Sequence, residues 1–481
     1  MGDPRGFIKT TRAEGGFRPA CERIEDYSHV AILRSEKDSK DQASRCMDCG
    51  TPFCHWGCPL GNYIPEWNDL LFNGRGLDAF GILDATNNMP EITGRICPAP
   101  CEYSCVLGIN EDPVTIRENE LAIIEHAFEN DLVKPFIPSK RTRKKVAIIG
   151  SGPAGLSCAV QMNRAGHKVV VFEKDDSIGG ILRYGIPDFK LEKSILERRI
   201  ALWSKEGVKF VTNTSIGKDY SVSKAKKEFD CLCLACGSRV PRDLNIPGRN
   251  LKGIYFAMDF LIQSNRIVAS VKIPKSGLIS LSGKKVLVIG GGDTGADCVG
   301  VAHRMKASCV TQIEIMPKPA ECRSQEYPWP KYPLLLKTSS SHIEGGDRFW
   351  SINTKNFVGE NGRVKKVECS RVKFVRDELA RCMVMQEEAG SSFEIETDCV
   401  ILALGFLHAE RQGLVNDLGL QLDACGNVIT DNNFMTTLSK VYSAGDMRRG
   451  QSLIVHAIAE GRRAAHCMDR FLMGKSVLPM Q

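Results

Sequence analysis

Residues 144–174, KKVAIIGSGPAGLSCAVQMNRAGHKVVVFEK, join an apolar run, a glycine-rich turn, a helical segment and a second apolar run. This order of strand, turn, helix and strand is typical of a dinucleotide-binding unit. Gly150 allows the tight turn, Gly152 lets the backbone approach a pyrophosphate, and Gly155 lets the helix pack closely on the strand. Glu173 follows the second strand, where a carboxylate accepts hydrogen bonds from a ribose. We therefore predict that this stretch begins a dinucleotide-binding domain.

The same pattern recurs at residues 284–316, KKVLVIGGGDTGADCVGVAHRMKASCVTQIEIM, so the chain contains an internal repeat of a βαβ unit. The glycines of the second turn are Gly290, Gly292 and Gly295. We expect no acid at the place that Glu173 takes in the first copy, because Met316 lies near it. Arg304 or Lys318 could then neutralise a ribose 2′-phosphate, which favours NADPH. Glu314, two residues before Met316, leaves NADH open as an alternative.

Two dinucleotide sites in one chain usually serve a flavin and a nicotinamide, with a hydride passing between them. Near the C-terminus, a turn at Gly445 and Asp446 precedes a long helical segment. Asp446 could hold the ribityl chain of a flavin, although a carboxylate here could also simply cap the helix. This strand, turn and helix come after the second copy has ended. We therefore expect the second unit to be inserted into the first.

Seven of the twenty cysteines fall in two tight groups ahead of the first glycine turn. CMDCGTPFCHWGCP holds four of them and CPAPCEYSC three, and such short spacings are typical of iron–sulfur ligands. Four thiolates could instead bind zinc. Iron–sulfur clusters are favoured, because beside a flavin domain they couple two-electron to one-electron transfer. Two four-ligand clusters need an eighth ligand, for which Glu120 is a candidate. Cys233 and Cys236 form a CxxC pair that we interpret as part of a buried strand, with a redox dithiol as the alternative.

These patterns predict an α/β protein with three parts. We expect a helical iron–sulfur domain at 1–140, a flavin domain formed by 141–265 and 396–481, and a nicotinamide domain at 266–395. A length of 481 residues agrees with about three domains of roughly 100–200 residues each. The segment 118–130, ENELAIIEHAFEN, has the apolar spacing of a helix in the first part.

The composition is that of an ordinary globular protein, with 43% hydrophobic residues and a net charge of +7. The one short basic run, 140–145, is typical of a solvated linker, so we expect no nucleic-acid partner. No apolar stretch of about 18 residues predicts a membrane span. The polar start lacks the apolar core of a secretory signal. Twenty cysteines without such a signal indicate a reducing compartment, and we expect a cytoplasmic location.

Several longer strings resemble the small (beta) subunit of NADPH-dependent glutamate synthase over essentially the whole chain. The strings are CMDCGTPFCHWGCPLGN, ATNNMPEITGRICPAPCEYSC, GINEDPVTIRENE, GGILRYGIPDFKLEK, GGGDTGADC, TQIEIMPKP and AGDMRRGQSLIVHAIAEGR. The N-terminal and dinucleotide regions also resemble those of dihydropyrimidine dehydrogenase. The resemblance implies FAD, NADPH and two 4Fe–4S clusters. It also implies two Rossmann-like domains in a glutathione-reductase-like arrangement behind a helical iron–sulfur domain.

The motifs and the resemblance together imply the residues that bind each group. The resemblance assigns one cluster to Cys46, Cys49, Cys54 and Cys105, and the other to Cys58, Cys97, Cys101 and Glu120. FAD is expected to contact Gly150, Ser151, Gly152, Pro153, Ala154, Gly155, Glu173, Lys174, Gly180, Leu182, Lys190, Gly445, Asp446 and Ser452. NADPH is expected to contact Gly290, Gly292, Asp293, Thr294, Gly295 and Arg304. We predict no catalytic nucleophile or acid–base pair, because the cofactors carry the chemistry.

We therefore expect an electron-input subunit that passes electrons from NADPH through FAD and the clusters to a partner. The resemblance implies that this partner is a large (alpha) subunit with FMN, which makes L-glutamate from L-glutamine and 2-oxoglutarate. A second hypothesis is a free-standing NADPH:acceptor oxidoreductase whose acceptor is a ferredoxin, a quinone or a small oxidant. A third is a metal-binding scaffold without turnover, against which the intact glycines of both turns argue.

Overall fold

The computed structural model describes residues 2–274, 277–377 and 382–480. The chain begins with a helical domain, as expected. Its helices are α1 (Gly6–Lys9), α2 (Ala20–Arg23), α3 (Glu36–Ala43), α4 (Phe53–Gly57), α5 (Ile64–Phe72), α6 (Gly76–Thr86), α7 (Pro90–Ile96), α8 (Pro100–Tyr103) and α9 (Ile116–Glu129), with a 3₁₀ turn at Val106–Ile109. The segment predicted to be helical at 118–130 is α9, whose buried face includes Leu121, Ile124 and Ala127.

The first Rossmann-like unit has a sheet of five parallel strands in the order β14-β4-β1-β2-β3. The strands are β1 (Lys145–Ile149), β2 (Lys168–Phe172), β3 (Lys209–Val211), β4 (Cys231–Leu234) and β14 (Val441–Ser443). The helices of this unit are α10 (Pro153–Arg164), α11 (Ile181–Tyr184), α12 (Lys193–Glu206), α13 (Val222–Glu228), α17 (Leu414–Asp417), α18 (Asp446–Arg449) and α19 (Ile454–Met473). Because β14 returns late and pairs with β4, the second unit is inserted into the first, as predicted.

The second unit has its own sheet of five parallel strands, in the order β5-β13-β6-β7-β8. The strands are β5 (Ile254–Phe256), β6 (Lys285–Ile289), β7 (Cys309–Ile313), β8 (Asp347–Phe349) and β13 (Cys399–Leu402), with helices α14 (Ala257–Val268), α15 (Asp293–Arg304) and α16 (Ser340–Ile343). An antiparallel sheet is formed by β9 (Ile352–Glu360), β10 (Arg363–Asp377), β11 (Cys382–Glu387) and β12 (Phe393–Glu396).

The chain crosses between the two units at residues that differ from the expected boundaries at 265 and 396. β5 precedes residue 265 and β13 follows residue 396, yet both pair within the second sheet. The chain therefore leaves the first sheet after β4 and returns to it only after β13. The apolar sequences of β5 and β13 would suit a strand of either sheet. Only the observed strand pairing shows that both belong to the second sheet.

The helical domain and the first unit share one continuous apolar core. Side chains of α5 such as Ile64 and Trp67 belong to the same buried cluster as Val146 and Ile148 of β1. The long helix α19 packs along α10, and an added Cβ at Gly461 would lie 2.2 Å from the carbonyl oxygen of Ala154. This close packing holds the C-terminal helix against the first glycine turn.

Candidate dinucleotide and iron–sulfur sites

The first glycine turn lies where β1 meets the N-terminus of α10. Gly150 has φ +101°, and an added Cβ would lie 2.4 Å from the carbonyl oxygen of Ala235, so this position requires glycine. At Gly152 an added Cβ would meet nothing within 4 Å, because the backbone there faces an open cleft. The turn and the helix N-terminus together form a surface that suits a pyrophosphate.

Glu173 is held rigidly at the end of β2. Its Oε2 accepts hydrogen bonds from the backbone N–H of Ser151 at 3.0 Å and from Ser151 Oγ at 2.5 Å. Its Oε1 accepts from the backbone N–H of Asp175 at 2.9 Å. Glu173 also lines the cleft, so the carboxylate stands where the ribose of a dinucleotide is expected.

The other residues expected to contact FAD divide into two groups. The cleft wall contains Ser151, Pro153, Ala154, Lys174, Gly180, Lys190, Asp446 and Ser452 as well as Gly150, Gly152 and Glu173. Gly155, Leu182 and Gly445 are not part of that wall. An added Cβ at Gly155 would lie 2.0 Å from the carbonyl oxygen of Gly150, and one at Gly445 would lie 2.7 Å from Ala154 Cβ. Leu182 is fully buried in the core. These three residues therefore support the first glycine turn by packing and do not face the cleft.

Two polar side chains on the cleft wall have specific partners. Asp446 accepts a hydrogen bond from Ser452 Oγ at 2.7 Å. Burial raises the pKa of Asp446 to about 6, against the hydrogen bond from Ser452, which favours the charged form. Lys190 forms an ion pair with Asp297 of α15, which joins the first unit to the second across the cleft. Sequence reasoning missed Asp297, because only the folding of α15 onto the first unit brings it to Lys190.

The second glycine turn repeats the first. An added Cβ at Gly290 would lie 2.2 Å from the carbonyl oxygen of Ala403, whereas one at Gly292 would meet nothing within 4 Å. Gly290, Gly292, Asp293 and Thr294 line the same cleft as the first turn. Gly295 packs behind it, since its added Cβ would lie 2.2 Å from the carbonyl oxygen of Gly290.

The expectation that no acid matches Glu173 in the second unit is wrong. Glu314 directly follows β7, as Glu173 follows β2. Its Oε1 accepts from the backbone N–H of Met316 at 3.0 Å, and its Oε2 accepts from the backbone N–H of Gly291. Glu314 lies one residue farther along the chain from Gly290 than Glu173 lies from Gly150. β7 ends at Ile313, three residues before Met316, so the matching position comes earlier than the apolar Ile315 and Met316 suggested.

Arg304, expected to contact NADPH, lies away from the cleft. Its guanidinium is buried and forms two hydrogen bonds to Glu344, at 2.7 and 3.1 Å. Arg23 of the helical domain contacts the same carboxylate at 2.7 Å, and the ring of Phe189 lies 3.7 Å from the Arg304 guanidinium carbon. Arg304 therefore ties three parts of the chain together, and its side chain is engaged before any nucleotide binds.

Four cysteines surround a small, largely apolar cavity in the helical domain: Cys46, Cys49, Cys54 and Cys105. Burial raises the pKa of Cys54, and the nearby thiols of Cys105, Cys46 and Cys49 raise it further. Burial also raises the pKa of Cys46 to about 12, against a hydrogen bond from the backbone N–H of Asp48. Metal ligation relieves such crowding of thiolates, since it neutralises the charge that burial opposes.

The remaining three cysteines lie beside Glu120. Burial raises the pKa of Cys97, Cys101 and Cys58, and in each case the charge of Glu120 contributes. Backbone N–H groups of residues 60–62 oppose the rise at Cys58, whose pKa is about 11. Glu120 is buried, and its Oε1 accepts hydrogen bonds from Asn87 Nδ2 at 2.9 Å and from Thr93 Oγ1. The chain thus brings together the two sets of four that the resemblance implied.

Both sets suit iron–sulfur clusters in the chemistry of their side chains. Within the described ranges, no three His, Cys, Asp or Glu side chains lie close enough together to bind a single metal ion. Cluster ligands can lie farther apart, because each thiolate binds a different iron atom. Buried thiols that receive backbone N–H groups are the donors that such clusters use.

The cysteine loop and the dinucleotide cleft adjoin each other. Cys97, Pro98 and Ala99 form part of the same cleft wall as both glycine turns. Cys97 also belongs to the set that includes Glu120. The set formed by Cys58, Cys97, Cys101 and Glu120 is therefore the one nearer to the dinucleotide cleft. Cys46 and Cys49, by contrast, are only partly buried.

Across the part of the chain that the structure describes, no helix has both the length and the apolar character that a membrane span requires.

Known protein families match both the helical domain and the pair of dinucleotide-binding units. Residues 23–132 match the model described as dihydropyrimidine dehydrogenase domain II, 4Fe-4S cluster. Residues 144–327 and 358–461 match the pyridine nucleotide-disulphide oxidoreductase model. The solved structure of Mycobacterium tuberculosis FprA in complex with NADPH covers 69% of this chain and 85% of its own, with a TM-score of 0.55 and 18% identity. That likeness shows a shared fold.

Curated relatives match along the whole chain. The glutamate synthase (NADPH) small chain of Mycobacterium tuberculosis is 50% identical over 100% of this chain and 98% of its own. The glutamate synthase (NADH) of Schizosaccharomyces pombe is 44% identical over 99% of this chain, which corresponds to 23% of that longer protein. This chain is thus an oxidoreductase that uses FAD, NADPH and 4Fe–4S chemistry. It belongs to the family of glutamate synthase small chains.

Proposed function

We propose that this chain is the electron-input subunit of a glutamate synthase whose large subunit carries FMN and makes L-glutamate from L-glutamine and 2-oxoglutarate. One observation carries the proposal: the loop from Cys97 to Ala99 lines the cleft that also holds both glycine turns. When bound, the cofactors accept a hydride from NADPH and release its electrons one at a time. The chain itself binds, orients and shields them.

We propose specific roles for the residues of the cleft. The first glycine turn and Glu173 would hold FAD, with Asp446 and Ser452 on the flavin side. Gly292, Asp293 and Thr294 would hold the pyrophosphate of NADPH. The ion pair between Lys190 and Asp297 supports this arrangement, because it fixes the second unit against the first at the cleft. Gly155, Leu182, Gly445 and Gly295 would act by packing, and Arg304 by tying α15 to the helical domain through the carbonyl oxygen of Asp26.

We propose two 4Fe–4S clusters, held by the two sets of ligands. Cys58, Cys97, Cys101 and Glu120 would hold the one next to the cleft, and Cys46, Cys49, Cys54 and Cys105 the one nearer the surface. We further propose that electrons leave for the large subunit from the surface side. The twenty cysteines all lie in the described ranges and none of them forms a disulfide, which supports a location in the reducing cytoplasm.

We propose domain limits that follow the sheets. The helical domain would run to about residue 140, as expected from the sequence. The flavin domain would comprise the chain from β1 to β4 and again from the residues after β13 to the C-terminus. The nicotinamide domain would run from β5 to β13.

The proposed function is tested by anaerobic purification of the tagged chain from its native cell. We expect a large glutamine-processing flavoprotein in near-equal amount, and synthesis of glutamate by the pair from glutamine, 2-oxoglutarate and NADPH. If the chain is recovered alone and still oxidises NADPH with an artificial acceptor, the free-standing oxidoreductase is the better account.

A ligand variant tests the cluster nearer the surface. We expect Cys49→Ser to lose about half of the bound iron, because one of two four-iron clusters lacks a thiolate. NADPH should still bleach the flavin of this variant, since neither glycine turn is touched. Iron content per chain and anaerobic absorbance measure the two effects. Cys425→Ser, at an exposed cysteine, is the matched control and should keep its full iron content. Unchanged iron in Cys49→Ser would contradict the assignment.

A further inference from the structure

Glu314 makes the same pair of backbone hydrogen bonds in the second unit that Glu173 makes in the first. Glu173 accepts from the N–H of the residue after Gly150 and from its own second neighbour, Asp175. Glu314 accepts from the residue after Gly290 and from its own second neighbour, Met316. Each carboxylate is therefore fixed at a strand end, beside a glycine turn.

This position decides which ribose a dinucleotide site accepts. A carboxylate at the strand end accepts hydrogen bonds from the 2′-hydroxyl of an unphosphorylated ribose. A 2′-phosphate offers no such donor and places negative charge beside the carboxylate, which weakens binding. Glu314 lines the cleft and is only partly buried, so an incoming ribose can reach it.

The side chains that follow Glu314 do not supply the charge that a 2′-phosphate needs. Ile315 and Met316 come directly after it, and both are exposed and apolar. Sites that accept a 2′-phosphate commonly carry an arginine near this strand end. The strand end of the second unit therefore presents one carboxylate and two apolar side chains.

The two cations that the sequence suggested for a 2′-phosphate lie outside the cleft wall. Arg304 is buried in its ion pair with Glu344 and lies away from the cleft. Lys318 is exposed, and its Nζ lies 3.3 Å from a carboxylate oxygen of Glu321. Neither side chain is part of the cleft wall that contains Glu314.

We propose that Glu314 selects a ribose with a free 2′-hydroxyl, so that this chain oxidises NADH at least as efficiently as NADPH. The inference rests on the proposed function only in that hydride enters at the second unit. Glu314 would act as a specificity-determining residue, in the way that Glu173 would act toward the ribose of FAD.

Binding of the adenosine half tests the inference without any redox step. Calorimetry would compare ADP-ribose with 2′-phospho-ADP-ribose on the flavin-loaded chain. We expect ADP-ribose to bind as tightly as the phosphorylated form or more tightly. Tighter binding of 2′-phospho-ADP-ribose would overturn the inference. The ratio of kcat/KM for NADH and NADPH, measured with ferricyanide as acceptor, should follow the same order.

Two variants sharpen this test without disturbing the turn that Glu314 holds. We expect Ile315→Arg to tighten binding of 2′-phospho-ADP-ribose by about tenfold, because it adds a cation at an exposed strand end, and to change binding of ADP-ribose little. Lys318→Ala, at the other suggested cation, should change neither affinity. A selective loss of 2′-phospho-ADP-ribose binding in Lys318→Ala would contradict the inference. If neither NADH nor NADPH reduces the flavin, the proposed function fails, whereas the affinities still decide the role of Glu314.

Discussion

Gly152→Ala is expected to abolish the retention of FAD while the chain still folds. An alanine Cβ at this position meets no atom of the chain within 4 Å, and φ at Gly152 is −69°, which any residue adopts. Alanine in place of glycine at a helix N-cap costs at most about 1 kcal/mol. The added methyl group would stand where the backbone must approach the pyrophosphate, so its effect falls on the cofactor.

Gly292→Ala is the matched variant in the second unit. Its added Cβ also meets nothing within 4 Å, and its φ is −78°. We expect this variant to keep its FAD and lose binding of NADPH, which is the reverse of the outcome at Gly152. The pair therefore assigns one dinucleotide to each turn in a single experiment.

The measurement is the flavin released per chain after denaturation, together with titration of NADPH and the far-ultraviolet circular dichroism spectrum. We expect the flavin content of Gly152→Ala to fall below about a tenth of that of the unaltered chain. Gly81→Ala, in the exposed part of α6 and also without a neighbour within 4 Å, is the control for the substitution itself. Full flavin content in Gly152→Ala would exclude FAD from the first turn.

The glycine turns could be predicted because their chemistry is local. Strand, turn and helix follow one another within about thirty residues, and the role of each glycine follows from its position in that stretch. The insertion of one unit into the other could also be predicted, since the last strand and helix return after the second repeat. The antiparallel sheet of β9–β12 has no such local motif, so the sequence does not predict it.

The features that the sequence did not predict depend on contacts between distant residues. Arg304 looked available for a phosphate, but its guanidinium is buried in an ion pair with Glu344, which Arg23 of the helical domain also contacts. Glu314 stood only as the alternative to Met316, because the apolar residues Ile315 and Met316 made the strand look longer than β7, which ends at Ile313. Cysteine spacing left the pairing of thiols open, and the folding of α4, α8 and α9 interleaves them. In each case packing decides which of several equivalent side chains reaches the site.

Loss of the buried ion pair between Glu91 and Arg199 is expected to have the largest effect on stability. Glu91 lies in α7 of the helical domain and Arg199 in α12 of the flavin unit. Two hydrogen bonds of 2.6 Å join them, and both side chains are almost fully buried. Burial alone would lower the pKa of Arg199, but the charge of Glu91 outweighs it and the pKa is raised.

Glu91→Ala should lower the free energy of unfolding by about 3–5 kcal/mol, because it leaves the Arg199 charge buried without a partner. Urea unfolding followed by circular dichroism measures this loss. The double variant Glu91→Leu with Arg199→Met removes both charges and should recover most of the stability, since a buried ion pair contributes little over apolar packing. Asp78→Ala breaks an exposed ion pair with Arg75 and should change stability little.

The ion pair between Glu91 and Arg199 is also expected to affect electron transfer. This effect can be distinguished from a general loss of stability. α7 ends at Ile96, directly before Cys97, and the loop that follows lines the dinucleotide cleft. If α7 loosens from α12, Cys97 loses its fixed position against the cleft. At urea concentrations too low to unfold the chain, Glu91→Ala should therefore still bleach its flavin with NADPH at an unchanged rate, while reduction of the clusters slows. Equal slowing of both steps would mean that the ion pair supports the fold as a whole and does not position the loop.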